Sequence, residues 1–205
     1  MIVNELRTEA LTAPSSPAHT HRAEFVEFRV LSGGDLYGLR VFIYRGGAGG
    51  WVPTEFAFPS TVVRAGEYVV VHLRTLEHMF IDAYPSAHNF WLPGSASRLN
   101  KNGAVYVLDG EGRVLTAVMV SEGSDPSWWG VNNRAHFARI AEFLFAQGAW
   151  RAPGGGVATP ADAVALAGTG SGVTWSVSRD ESAPDSGTAA DWRITGATPG
   201  RPNQP

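Results

Sequence analysis

The chain is cut into short segments of period-two hydrophobicity by glycine and proline, and that pattern constrains the fold more than any other feature. Ile2–Arg7 reads as a first strand. At 24–30, Phe25, Glu27 and Arg29 fall on one face and Val26, Phe28 and Val30 on the other, which predicts a half-buried strand. Strands are also expected at 37–44, near an edge at 56–59 and 61–64, and at 67–74. The last contains the strongest strand signal, Tyr68-Val69-Val70-Val71. Pro59 has no ladder donor, which argues against a central strand there. Gly33-Gly34-Asp35 reads as a turn, 10–22 as a loop, and 76–99 as irregular. Asn102-Gly103 carries the best hairpin-type turn signal. Segments 104–108 and 113–120 then pair around Asp109-Gly110-Glu111-Gly112.

The period changes after residue 120. Asn132 or Asn133 can cap a helix that begins near Arg134. Phe137, Ile140, Ala141 and Leu144 recur at helical spacing, and Gly148 stands where such a helix stops. Thr159-Pro160-Ala161-Asp162 repeats the start signals of a second, shorter helix ending at Gly168. Strand patterning returns at 173–178 and 191–195, and 199–203 reads as a turn. The fold class is therefore all-β: a β-sandwich built from 1–120 and 173–203, with a helical insertion at 121–172. Neither β piece is complete alone, so the last two strands are expected to rejoin the sheet begun by the first. One domain spanning 1–205 follows.

Composition narrows the function classes. The 24 glycines and 13 prolines suit a turn-rich β protein, and 44% hydrophobic residues suffice for a core. A formal charge of -3 without a basic block gives no electrostatic footprint for nucleic acid. There is no cysteine, which excludes disulfides, thiolate zinc sites and cysteine nucleophiles. No stretch is apolar enough for a membrane helix. The opening residues lack the basic start and long apolar run of a signal peptide.

Several segments, taken in order, resemble the lamin tail domain, an immunoglobulin-like sandwich. They are Val3-Asn4-Glu5-Leu6, Glu24-Phe25-Val26-Glu27-Phe28, Tyr37-Gly38-Leu39, Ala65-Gly66-Glu67-Tyr68-Val69-Val70, and the run from Asn102-Gly103 to Asp109. Ser176-Val177-Ser178-Arg179, Trp192 and Thr198-Pro199-Gly200-Arg201-Pro202-Asn203 complete the series. Ala65 stands where the family has proline and Ala104 where it has an acid. The resemblance covers most of the β material and none of 121–172. It implies an immunoglobulin-like sandwich and a non-catalytic interaction module with no cofactor. Bacterial relatives of this kind look exported or surface-associated, which implies an extracellular, periplasmic or cell-envelope location. A protein or polysaccharide partner is expected, and a homodimer through an edge strand or the 134–147 helix is a further possibility.

Candidate site residues follow from chemistry. Asn4, Glu5, Glu27, Arg179 and Trp192 are assigned structural roles. Glu5 and Glu27 are expected to pair with Arg179 or to accept backbone bonds, although two carboxylates can also serve acid–base chemistry. Arg179 is expected beside Trp192 and an acid, in a bidentate and cation–π arrangement. Trp91, Trp128 and Trp129 are the binding candidates, because adjacent tryptophans cannot both face inward from a strand; the alternative is that they pin the insertion to the sandwich. His19, His21, His72, His78 and His88 lack the spacing of a zinc site, so no metal is expected. Gly154-Gly155-Gly156 lacks the lysine of a phosphate loop, and the serine of Gly168-Thr169-Gly170-Ser171-Gly172 follows a helix and lacks a base. The alternative function is a hydrolase in which Glu77, His78, Asp82 and His88 of the 72–91 region converge.

Overall fold

The computed structural model describes residues 1–8, 24–45, 52–73, 84–92, 99, 102–121, 131–166 and 175–203. Two sheets face each other. The first holds six strands in the order β13-β12-β1-β2-β7-β8, and the second five in the order β11-β10-β9-β4-β5. In the first sheet β1 is Ile2–Arg7, β2 Phe25–Arg29, β7 Tyr68–His72, β8 Ala87–Trp91, β12 Trp175–Arg179 and β13 Trp192–Gly196. In the second, β4 is Arg40–Arg45, β5 Val52–Ala57, β9 Gly103–Leu108, β10 Val114–Ser121 and β11 Val164–Ala165. A two-residue ladder, β3 Gly34–Asp35 with β6 Val62–Val63, stands apart. The all-β sandwich with a helical insertion is thus the observed fold.

The last strands do rejoin the first. β12 pairs antiparallel with β1, Glu5 opposite Ser178 and Leu6 opposite Val177, and β13 pairs with β12 on its other side. β1 is therefore an interior strand flanked by chain from both ends of the sequence. Val3, Leu6, Val26, Phe28, Val69, Val71 and Val177 meet Val41, Ile43, Val105, Val107 and Val118 in one core between the sheets.

Strand β1 carries a bulge. Val3 is opposite Phe28 and Glu5 opposite Glu27, so Asn4 is the extra residue. The bulge keeps Val3 and Leu6 in the core three positions apart and sends Asn4 and Glu5 toward the outer face. β10 has a matching irregularity at Leu115. There the Thr116 hydroxyl accepts the buried Val3 N–H at 3.1 Å, a direct bond between the sheets. Thr116→Val keeps the shape and removes the acceptor. It is expected to cost about 1–3 kcal/mol, because the N–H stays buried without a partner. Thermal denaturation checks this, and an unchanged midpoint would count against the bond.

The helix α1 is Val131–Ala146, and Phe137, Ile140, Ala141 and Leu144 are its buried positions. Gly148, at φ +69°, ends it, and the Ala149 N–H returns to the Leu144 carbonyl at 2.9 Å. The helix begins at Val131, so residues 132 and 133 lie inside its first turn rather than ahead of it.

Other expectations need correction. Segment 24–30 is not half-buried: Phe25, Val26, Glu27 and Phe28 all have 0% exposure, because chain from elsewhere covers the outer face. β4 starts at Arg40, later than predicted, since Tyr37-Gly38 forms a turn with glycine at φ +86°. Segment 76–99 is not irregular throughout; β8 runs parallel to β7 within it. Asn102-Gly103 is no hairpin turn, because Gly103 already belongs to β9. The second helix is only the 3-10 turn Pro160–Asp162. Its Asp162 carboxylate accepts the Thr159 N–H at 2.8 Å, closing the turn. Val164 then pairs in parallel with Val120, so the insertion returns a strand to the second sheet.

Candidate functional site

On the outer face of the six-stranded sheet, the bulge sets Asn4 and Glu5 beside Glu27. The turn at 198–203 lies across them. Glu5 accepts the Thr198 N–H with both oxygens, at 2.9 and 3.3 Å. Glu27 accepts the Gly200 N–H at 2.5 Å and the Asn4 amide at 3.0 Å. A third acid, Glu181, accepts the Asn203 N–H at 2.8 Å and the Asn4 amide at 3.1 Å, and pairs with Arg29 at 2.9 Å. The Asn203 side chain closes the ring by donating to the carbonyls of Asn4 and Arg179 at 3.0 and 2.8 Å. Backbone N–H groups at 198, 200 and 203 thus each find a different carboxylate.

Gly200 is required at this spot. Its φ of +75° favours glycine, and an added Cβ would lie 2.7 Å from Ser86 Oγ. That serine donates to the Gly200 carbonyl at 2.7 Å, tying the turn to the start of β8.

Both Glu5 and Glu27 have 0% exposure. Burial pushes the Glu27 carboxyl up to about 8, the facing charge of Glu5 adds to the rise, and the bonds from Asn4 and Gly200 oppose it. Glu5 is also raised, again chiefly by burial, with Ser176, Thr198 and Arg7 working against the rise. A raised carboxyl is a property of acid catalysts. Here, however, the pair is sealed, and its oxygens are occupied by the Thr198 and Gly200 N–H groups and by side-chain donors of Asn4 and Thr198. Of the two structural roles open to Glu5 and Glu27, backbone acceptance is the one formed.

Arg179 lies opposite Trp192 in the β12–β13 ladder, and both are 7% exposed. Among the described residues no bidentate fork forms on Arg179. Nη2 stands 3.7 Å from one oxygen of Asp185 and makes no hydrogen bond, and no cation–π contact joins Arg179 to Trp192 among the described residues. Any loss on Arg179→Lys that rests on a planar fork is therefore not expected.

Trp91, at the end of β8, is half-buried and stacks face to face on His72, with centroids 5.1 Å apart and planes at 9°. Tyr84 stacks on His72 at 5.6 Å, and Asn89 anchors the group by bonding His72 Nε2 at 2.9 Å. Burial lowers the His72 pKa. His88 instead bonds Glu67 at 2.9 Å. Trp128, Trp129, His19, His21, Glu77, His78 and Asp82 lie outside the described residues. Among the described residues no cluster of three or more metal-ligating side chains occurs, and no helix is long and apolar enough to cross a membrane.

The sequence reading missed two features. Glu181 had no motif to mark it; its role follows from its place just beyond β12, facing Asn203. The second is an aromatic row on the outer face of the five-stranded sheet. Phe42 and Tyr106 stack at 5.3 Å, Tyr44 and Tyr106 at 5.9 Å, and Phe143 from α1 meets Tyr106 at 5.5 Å. Arg40 lies over Phe42 at 5.6 Å. Phe143 is 37% and the nearby Phe145 40% exposed. The alternation of Arg40, Phe42 and Tyr44 marked their shared face, but not that this face stays partly open.

A family model described as a protein second domain matches residues 1–194. No curated protein matches the chain.

Proposed function

We propose that this chain, which belongs to the protein second-domain family, works as a non-catalytic interaction module of lamin-tail-like build, with a protein or polysaccharide partner. The observation that carries the reading is the contrast between its two outer faces. The carboxylates best suited to chemistry are sealed under backbone, whereas Phe42, Tyr44 and Phe143, grouped around the buried Tyr106, remain partly open. Partly exposed aromatic surface with a guanidinium at its rim favours association. Trp91 is a second, smaller contact candidate.

The lamin-tail resemblance draws support from where its segments meet. Val3-Asn4-Glu5-Leu6, Glu27, Arg179 and the Thr198 to Asn203 turn lie far apart in sequence and come together in one hydrogen-bonded ring. The same resemblance favours an extracellular or envelope setting, which fractionation of the source cells with an antibody would test.

The functional test uses immobilised cell-wall polysaccharide and envelope proteins cross-linked to the full chain. Retention without release of new sugar or peptide ends is the expected result. Replacing Phe42 and Tyr44 by alanine together should weaken retention at least about tenfold, as loss of aromatic anchors does. Turnover by the wild type that disappears in Glu27→Gln would overturn the module reading and favour a hydrolase.

A further inference from the structure

We propose that the 198–203 turn is a pH-released latch: Glu5 and Glu27 hold it down while the two share a proton, and it lifts from the six-stranded sheet once both are charged. The argument starts from register. Glu5 and Glu27 are direct partners across β1 and β2, on the same face, and neither touches solvent. Two carboxylates so placed cannot both ionise without strong repulsion, and they titrate as a pair.

Among the described residues the latch is held chiefly by polar contacts, the Thr198 hydroxyl bond to Glu5 included. None of residues 198–203 belongs to the hydrophobic core, and Arg201 and Pro202 are exposed. Its attachments are polar: the N–H bonds to Glu5, Glu27 and Glu181, the Ser86 bond to Gly200, and the Asn203 side chain. Among the described residues, repulsion beneath it is therefore met chiefly by hydrogen bonds.

The surrounding charges leave the pair unbalanced. Arg7 on β1 favours charge on Glu5, and the Ser176 hydroxyl of β12 bonds it. Glu27 faces Glu5 and Glu181, both acids. Glu181 is itself engaged by Arg29 of β2 and lies 3.4 Å from the Tyr68 hydroxyl of β7. Arg193, on β13, turns to Asp180 at 3.5 Å.

The test is amide exchange on the full 15N-labelled chain, followed by NMR and corrected for the intrinsic base-catalysed rate. Protection at Thr198, Gly200 and Asn203 is compared with that at Val105 and Val118 in the core. Between about pH 6 and about pH 9.5 the latch amides should lose at least about tenfold in protection, and at about pH 9.5 they should exchange at least about tenfold faster than the core amides, which open only with the whole fold. Glu27→Gln and Glu5→Gln should each flatten that loss. Latch protection that does not change with pH in the wild type would overturn the proposal. So would a loss that persists in both variants, or latch amides as well protected as the core amides at about pH 9.5.

Discussion

Gly103→Ala is expected to lower the melting temperature by roughly 6–12 °C, the consequence of a cost of about 3 kcal/mol in a chain of this length. Gly103 opens β9, an interior strand, and is paired with Arg45 on one side and Val120 on the other. A Cβ there would sit 2.6 Å from the Tyr44 carbonyl oxygen and 3.0 Å from a methyl of Leu99. The first atom is backbone in the neighbouring ladder, and Leu99 is fully buried, so neither can swing away. The β4–β9 ladder must open or the whole strand must shift. Gly110 provides the control: it lies in the β9–β10 turn with nothing within 4 Å of an added Cβ, so Gly110→Ala should stay within about 0.5 kcal/mol of wild type. Equal melting temperatures for the two variants would refute the close-approach argument.

Stability should also fall as pH rises from about 4.5 to about 8, and Glu27→Gln should abolish most of the fall. The Glu27 carboxyl is raised from its ordinary value of 4.5 to about 8. The folded state therefore holds a proton that the unfolded chain releases across that window. Stability is complete below the unfolded value and is lost as pH climbs toward the folded one. At about 1.4 kcal/mol per unit, the loss is on the order of 4 kcal/mol. Glu5 is raised too and contributes with the same sign. His72 acts oppositely: its lowered pKa gains stability with rising pH until its ordinary value of 6.5 is passed. The decline should accordingly be cleanest above about pH 6.5. Urea denaturation at several pH values reads it directly. A wild type as stable at pH 8 as at pH 6.5, or a Glu27→Gln variant with an undiminished slope, would show that the pair does not store this energy.

What the sequence made legible follows from where burial writes a period. Strands β1, β2, β7, β9, β10, β12 and β13 and the apolar stripe of α1 repeat their hydrophobic residues at the spacing their geometry demands. Strand β8 escaped because Ala87-His88-Asn89-Phe90-Trp91 is evenly half-buried and holds its place by parallel pairing with β7. Strand β11 escaped because two residues carry no period, and the helix signals just before it were stronger. Asn102-Gly103 misled because the same dipeptide that suits a tight turn also suits a crowded strand start. Composition cannot separate conformational freedom from lack of a side chain. At the candidate site, Asn4, Glu5 and Glu27 were singled out from sequence. Their partners were not, since the donors are main-chain N–H groups, which every residue but proline has. The fork expected of Arg179 failed because its nearest acid, Asp185, meets one guanidinium nitrogen at 3.7 Å.

The interior position of β1 has a consequence for synthesis. A nascent chain emerges with Ile2–Arg7 and Phe25–Arg29 long before Trp175–Arg179, so one flank of β1 waits with its hydrogen-bonding groups open while the rest is translated. Closing contacts across so many residues is slow, and a waiting strand edge can recruit the wrong neighbour. A ribosome stalled before residue 175 should therefore display a species that chaperones bind, and completion of the chain should release it.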